Sequence, residues 1–445
     1  MLCLKKMRSV ESQKLREVCD LISDMGIDYV LVGEDVRRLT EVIDSDVDIV
    51  ISKETLKQID HIMQVISQNV CAKLIQYLRH EAHAHYYVIT WINDESHHFL
   101  RLDFCSDFIR EARQLITSEE LLIDRQQDNT SGFYTPSSRK NLIYYLLKKA
   151  DKGIIDQSQF NFILSLYKDC DQSFLYELCQ FWPKSKVKDI CNLLGSNSFN
   201  DLQSKIKDLQ CILKTKYRPS LRSRIAEFNR LLFRVRYPTG VWIAIYGPDG
   251  CGKTSVIQKL ELSIQPAFRR CLKYHFRLFF GRKFRQEGIV VPNPHGQKIR
   301  NPITSFLKIL LYALDYIIGY LVIILPAKIR STFIIFDRYY DDIFVDPKRY
   351  CYGGPNWLLK FIQLIIPKPD LVICLDAPAS VLQERKQEVS FNESARQREL
   401  YKNLVLSMNN GHVVDASQPL DNVVHNVQSI IIDYMANRSY KRIRS

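Results

Sequence analysis

Between residues 9 and 25 apolar positions recur every three to four residues, and the run Tyr29-Val30-Leu31-Val32 that follows is uniformly apolar and closed by Gly33. That is the pattern of a helix and then a short buried strand. Apolar or β-branched runs at 47–51, 72–78, 85–92 and 99–104 predict further strands, with a helix from about residue 53 to 68. Residues 1–117 therefore read as a small α/β domain. From 118 to 235 strand patterns cease. Helical periodicity takes over at 139–150, 157–167, 173–181, 184–194, 199–213 and 221–233, interrupted by breakers such as Asp151-Lys152-Gly153, Trp182-Pro183 and Gly195-Ser196-Asn197. This stretch is expected to be a helical connector. At Tyr237-Pro238-Thr239-Gly240 the pattern changes again, and residues 236–445 alternate buried strands with helices, as in a parallel sheet covered on both faces. The basic tail from residue 438 onward is expected to fray.

The apolar run at 303–329 approaches the length of a membrane span, but Lys308 and Asp315 interrupt it and Pro326 ends it. Each charge costs about 2.5–3.5 kcal/mol at a bilayer centre, so the run is expected to be a core helix, with shallow membrane contact ahead of a true span. Composition narrows the class further. The chain of 445 residues is 46% hydrophobic and 25% charged, the usage of folded protein and not of long disorder. A formal charge of +13 draws phosphates and other anions to the surface. The 12 cysteines form no C-x-x-C pair and the N-terminus has no apolar signal region, so a reducing cytoplasm is the expected setting.

The strongest chemistry lies in the third region. A buried strand, VWIAIY, runs directly into Gly247-Pro248-Asp249-Gly250-Cys251-Gly252-Lys253-Thr254 and an amphipathic helix from Ser255. This is G-x-x-x-x-G-K-[ST] in the strand–loop–helix setting that the motif needs. The glycines let backbone N–H groups curl around phosphates, the helix N-terminus adds its positive end, Lys253 reaches the outer phosphates and Thr254 can hold Mg²⁺. A second buried strand at 332–336 ends in Asp337-Arg338-Tyr339, placing an acid where it can hold a metal-bound water and an arginine where it can take an acceptor phosphate. A third, at 371–375, ends in Asp376-Ala377-Pro378 and leads on to Arg385, Arg396 and Arg398, which could neutralise charge in a transition state.

These residues resemble the P-loop kinases of the thymidylate kinase type: the loop has the G-x-D-G-x-G-K-[ST] form, Asp337-Arg338-Tyr339 looks like D-R-[YFH], and Pro369-Asp370 through Leu375-Asp376 looks like P-D-x-x-x-x-L-D. The resemblance covers about residues 241–430. It implies ATP and Mg²⁺ at Lys253 and Thr254, Asp249 facing an acceptor hydroxyl, Asp337 and Arg338 serving metal and acceptor phosphate, and Arg385, Arg396 and Arg398 in or near a mobile lid. Two features depart from the family. Its R-E-P-G-G stretch is absent, residues 282–296 being longer and more basic, and its base-contacting A-D-R is replaced by Ala313-Leu314-Asp315-Tyr316. The acceptor is therefore expected to differ, and the chain also looks like thymidylate-kinase-like proteins of bacterial surface-polysaccharide loci, where the acceptor is a sugar or glycan end.

In the first region Gly33 precedes Asp46-Val47-Asp48, and Asp103 lies on a later strand. Carboxylates at i and i+2 share a strand face, and a third from a neighbour could complete a two-Mg²⁺ clamp. The pattern resembles the nucleotidyltransferase superfamily, departing at Glu34, which would repel a triphosphate. His80, His83, His85, His97 and His98 lack ligand spacing and are expected to pack. The reading is an α/β protein of three parts: a nucleotidyltransferase-like domain, a helical connector and a P-loop domain with helices on both faces of a parallel sheet. Its expected ligands are ATP, Mg²⁺, a nucleotide and an anionic or glycan acceptor. Peripheral membrane contact and a homodimer stand among the expected partners, and specific nucleic acid does not. Nucleotidyl transfer by the first domain and a non-catalytic nucleotide-gated binding role are the rival readings.

Overall fold

The computed structural model describes residues 9–81, 83–111, 113–171, 173–278, 299–386 and 390–444. The chain divides into two compact units, Met1–Arg234 with Ala436–Ser445, and Val235–Met435.

The first unit is built on a five-stranded sheet of β1 Tyr29–Val32, β2 Val47–Ile51, β3 Lys73–Glu81, β4 Ala84–Asn93 and β5 Ser96–Cys105, in the order β1-β2-β5-β4-β3. Only β2 and β5 pair in parallel, and that pairing sets Asp48 opposite Asp103. One core lies between the sheet and the helices Val10–Asp24 and Lys53–Asn69, whose apolar positions recur at helical spacing. A second core fills the helical part, where Ser138–Lys152 buries Leu142, Leu146 and Leu147. That burial turns Lys148 and Lys149 toward one end of the sheet. The region from 118 onward is not purely helical, since Gln126–Gln127 and Tyr134–Thr135 pair as a short ribbon. The C-terminal residues do not fray: the helix Leu420–Arg444 reaches its last turn with Ser439 donating to the Ile75 carbonyl at 2.9 Å and Ile443 packed on the sheet core.

The second unit carries β6 Val241–Tyr246, β7 Arg270–His275, β8 Thr332–Asp337, β9 Leu371–Asp376 and β10 Gly411–Asp415 in one all-parallel sheet, ordered β7-β8-β6-β9-β10. The three central strands are almost wholly buried, which is why they read as unbroken apolar runs. The helical run Pro302–Ile329 is long and apolar enough to cross a membrane, yet it packs on the sheet through Ile309, Tyr312, Ala313 and Tyr316. It is not a core helix all round. Lys308 is half-buried and Asp315 buried, whereas Phe306, Leu307, Leu310, Leu311, Leu314 and Ile318 face solvent.

Candidate active site

The parallel sheet ends where the glycine loop begins. Gly247, Gly250 and Gly252 all hold positive φ, and a Cβ on Gly250 would come within 2.7 Å of the Leu382 carbonyl oxygen. Only glycine fits there without moving backbone. Lys253 opens the helix Lys253–Ile264 and is buried, its Nζ donating to the carbonyls of Gly247 at 2.7 Å and Pro248 at 2.9 Å. Thr254 and Ser255 are exposed on the same first turn, and Cys251 is buried under the loop.

Strand register sets Asp337 beside Ile245. Its Oδ2 lies 3.2 Å from His275 Nδ1, and its Oδ1 is buried with no hydrogen-bond partner among the described residues. Burial pushes this carboxyl upward, but the His275 hydrogen bond and the charges of Lys253 and Arg338 outweigh it and hold it below the usual carboxylate range. An ionised carboxylate with one open buried oxygen suits a cation or a metal-bound water, so Asp337 with the Thr254 hydroxyl fits Mg²⁺.

Arg338 is buried in the left-handed region (φ 69°). Its guanidinium donates to Asp249 at 2.6 Å, to Asp342 at 3.1 Å and to the Tyr401 hydroxyl at 2.8 Å. Asp342 also accepts from the hydroxyls of Tyr350 and Tyr401. Arg349 pairs with the other oxygen of Asp249 and, at 3.1 Å, with Asp346. Asp249 is therefore held between two arginines, and Arg338 enters the site already bonded to two carboxylates. The lid arginines are likewise engaged. Arg385 donates to the Ala416 carbonyl at 2.9 Å, Arg396 to Glu393 at 2.8 Å, and Arg398 to Asp376 at 2.6 and 3.0 Å. The basic stretch 282–296 lies outside the described residues. The sequence pattern does not single out Arg349, Asp346, Asp342, Tyr401 and His275 as site residues, although Asp342 falls in the run DRYYDD and Asp346 and Arg349 in DPKRY.

The first unit has a separate cavity of about 900 Å³, lined by Gly33, Glu34, Asp46, Asp48, Asp103 and Lys148 among others. Lys148 forms an ion pair with Asp48, and a Cβ on Gly33 would fall 2.5 Å from the Lys148 nitrogen. Asp46 turns to Tyr86 at 3.2 Å and Arg101 at 3.4 Å. Asp103 keeps one buried oxygen without a hydrogen-bond partner among the described residues; burial, then Asp48, Glu81 and Asp46, push its carboxyl up to about 8. Asp46, Asp48 and Asp103, the residues of the expected two-metal clamp, line this one cavity, and Asp48 stands opposite Asp103 in the strand register. Lys148 compensates Asp48, and among the described residues no group of three His, Cys, Asp or Glu side chains could hold a metal ion. Of the histidines, His85 pairs with Asp60 at 3.0 Å and His98 with Glu11 at 2.7 Å.

No family model matches the chain. Curated relatives do. A thymidylate kinase of Xanthomonas oryzae pv. oryzae is 26% identical over 213 residues, 45% of this chain and 87% of the relative. One of Prochlorococcus marinus is 28% identical over 221 residues, 44% of this chain and 98% of the relative. A probable thymidylate kinase 1 of Saccharolobus solfataricus is 30% identical over 202 residues, 42% of this chain and 95% of the relative. With nearly the whole of that last relative matched, and with a glycine loop, Lys253 and Asp337 at the ends of adjacent parallel strands, the chain belongs to the thymidylate kinase family.

Proposed function

We propose that the second unit is an ATP- and Mg²⁺-dependent kinase that passes the γ-phosphoryl group of ATP to a small acceptor, either a nucleoside monophosphate of the dTMP kind or a saccharide. The observation that carries this is the convergence of three elements: the glycine loop with Lys253, the open carboxylate of Asp337, and Asp249 clamped by Arg338 and Arg349. In this reading Lys253 exchanges the carbonyls of Gly247 and Pro248 for phosphate oxygens, while loop N–H groups from Gly250 to Thr254 and Ser255 hold the rest of the chain of phosphates. Thr254 and Asp337 would hold Mg²⁺, which neutralises phosphate charge when bound. Asp249, fixed by its two arginines, faces the acceptor. The acceptor oxygen bonds to the γ-phosphorus as the bond to ADP breaks, and positioning and charge neutralisation supply most of the catalysis. Arg385, Arg396 and Arg398 serve this step only after releasing the partners they hold here.

ADP release by the full chain tests the assignment: Asp337→Asn should lower it about a hundredfold or more while leaving the thermal transition in place, and unchanged turnover refutes the role. The Lys148–Asp48 ion pair and Glu34 in the same cavity disfavour nucleotidyl transfer in the first unit. The uncharged face of Pro302–Ile329, with Trp357, Phe361, Leu364 and Ile365 of the adjoining helix Asn356–Ile365, we read as a self-association face. These exposed side chains amount to on the order of 1,000 Å², near the share each partner contributes to a stable interface.

A further inference from the structure

The helix Leu221–Arg236 has no buried residue, although seven of its residues are large and apolar and six of these are exposed. Leu221, Ile225, Phe228, Leu232 and Val235 follow one another at spacings of four and three, so they form a single stripe about 21 Å long along the helix. All five are more than half exposed, from 51% at Val235 to 76% at Leu221. The opposite face is the one held by the protein. Phe233 packs edge-on against Tyr77 there and Arg79 lies 4.3 Å from the Phe233 ring, while Glu227 and Arg230, both largely shielded from solvent, pair with each other along the helix at 2.7 Å. The helix is thus mounted with its polar side inward and its apolar stripe outward, the reverse of an ordinary surface helix.

Exposed arginines border the stripe on both sides: Arg224 on one, Arg222 and Arg236 on the other. The helix carries five arginines and one glutamate. Pairing two copies of it, parallel or antiparallel, would set arginine against arginine at both margins, which disfavours a second copy as occupant. A strip of Leu, Ile and Phe bordered by cations instead matches an anionic lipid surface, with the aliphatic stems lying along the acyl boundary and the guanidinium groups at the level of the phosphates. From this geometry we propose that Leu221–Arg236 is an interfacial helix that docks the protein on an anionic membrane surface.

The test uses the full chain and vesicles of phosphatidylcholine with or without phosphatidylserine, read by flotation. Binding should require phosphatidylserine and weaken with salt. The triple change Arg222→Gln, Arg224→Gln and Arg236→Gln should weaken it about a hundredfold, at about 1 kcal/mol per arginine. Phe228→Ser with Leu232→Ser should weaken it at least about tenfold. Circular dichroism and ATP binding should match the parent in both variants, showing that the fold is kept. The proposal is overturned by equal binding of parent and variants, by binding that ignores phosphatidylserine, or by loss only on Leu311→Ser with Leu314→Ser in the second unit. It is also overturned if the helix variants abolish a soluble dimer, or if an acidic Leu-heptad peptide binds this helix while vesicles do not.

Discussion

Asp342 is the residue whose loss the second unit should tolerate least. Its side chain is fully buried, and its two oxygens accept from Arg338 at 3.2 and 3.1 Å, from Tyr401 at 2.6 Å and from Tyr350. Asp342→Ala would leave two buried hydroxyls without this acceptor, and Arg338 with Asp249 as its remaining carboxylate partner. Breaking a buried ion pair from one side costs about 3–5 kcal/mol, because the orphaned charge keeps its desolvation penalty. The unit has about 200 residues, and at that size 1 kcal/mol moves the midpoint by about 2–4 °C, so a drop of about 6–20 °C follows. Differential scanning calorimetry of the full chain reads it, with the second unit's transition recognised as the one that ATP and Mg²⁺ raise. Arg398→Ala is the contrast: its pair with Asp376 is partly exposed, so it should move the same transition by less than about 4 °C. A fall under about 3 °C for Asp342→Ala would refute the reasoning, as would a shift confined to the other transition.

Further consequences can be checked separately. Gly250→Ala should weaken ATP binding at least tenfold in a titration calorimeter, since its Cβ meets the Leu382 carbonyl at 2.7 Å where φ is positive; parental affinity would contradict a tight loop. Asp103 has its folded pKa raised to about 8 from an ordinary value near 4, so the folded state binds the extra proton between these limits. Its cost is absent below about pH 4 and grows as pH rises to about 8. Asp103→Asn should therefore raise the first unit's midpoint above the parent's at pH 8.5, with the gain disappearing toward pH 4; a pH-independent difference would contradict the buried, unpartnered carboxyl. Leu311→Glu with Leu314→Glu should reduce a dimer to monomer by sedimentation velocity, and a parent that is monomeric at every concentration would remove the self-association reading.

What was legible in the chain follows from where the information sits. The glycine loop, Lys253 and Asp337 were readable because central parallel strands are buried on both faces and print unbroken apolar runs that end at the crevice. The edge strands Arg270–His275 and Gly411–Asp415 were not. Half or more of their residues touch solvent, so their sequence is mixed. The clamp on Asp249 joins residues about 90 to 100 positions apart, and the Lys148–Asp48 pair joins residues 100 apart. No local pattern carries either of these. Periodicity predicts that 221–233 and 303–329 are helices, but it does not say which face the fold turns inward. The first mounts its apolar stripe outward, and the second keeps only one apolar face against its sheet.

The central claim is phosphoryl transfer at Lys253. The most direct measurement follows the labelled γ-phosphoryl group of ATP in the full chain with Mg²⁺, offering dTMP and, separately, phosphorylated saccharides, with Lys253→Ala alongside. Label should appear on one of these acceptors at a rate that Lys253→Ala lowers at least about a thousandfold. Transfer that survives in Lys253→Ala, or ATP that binds and yields label on no acceptor, would contradict it.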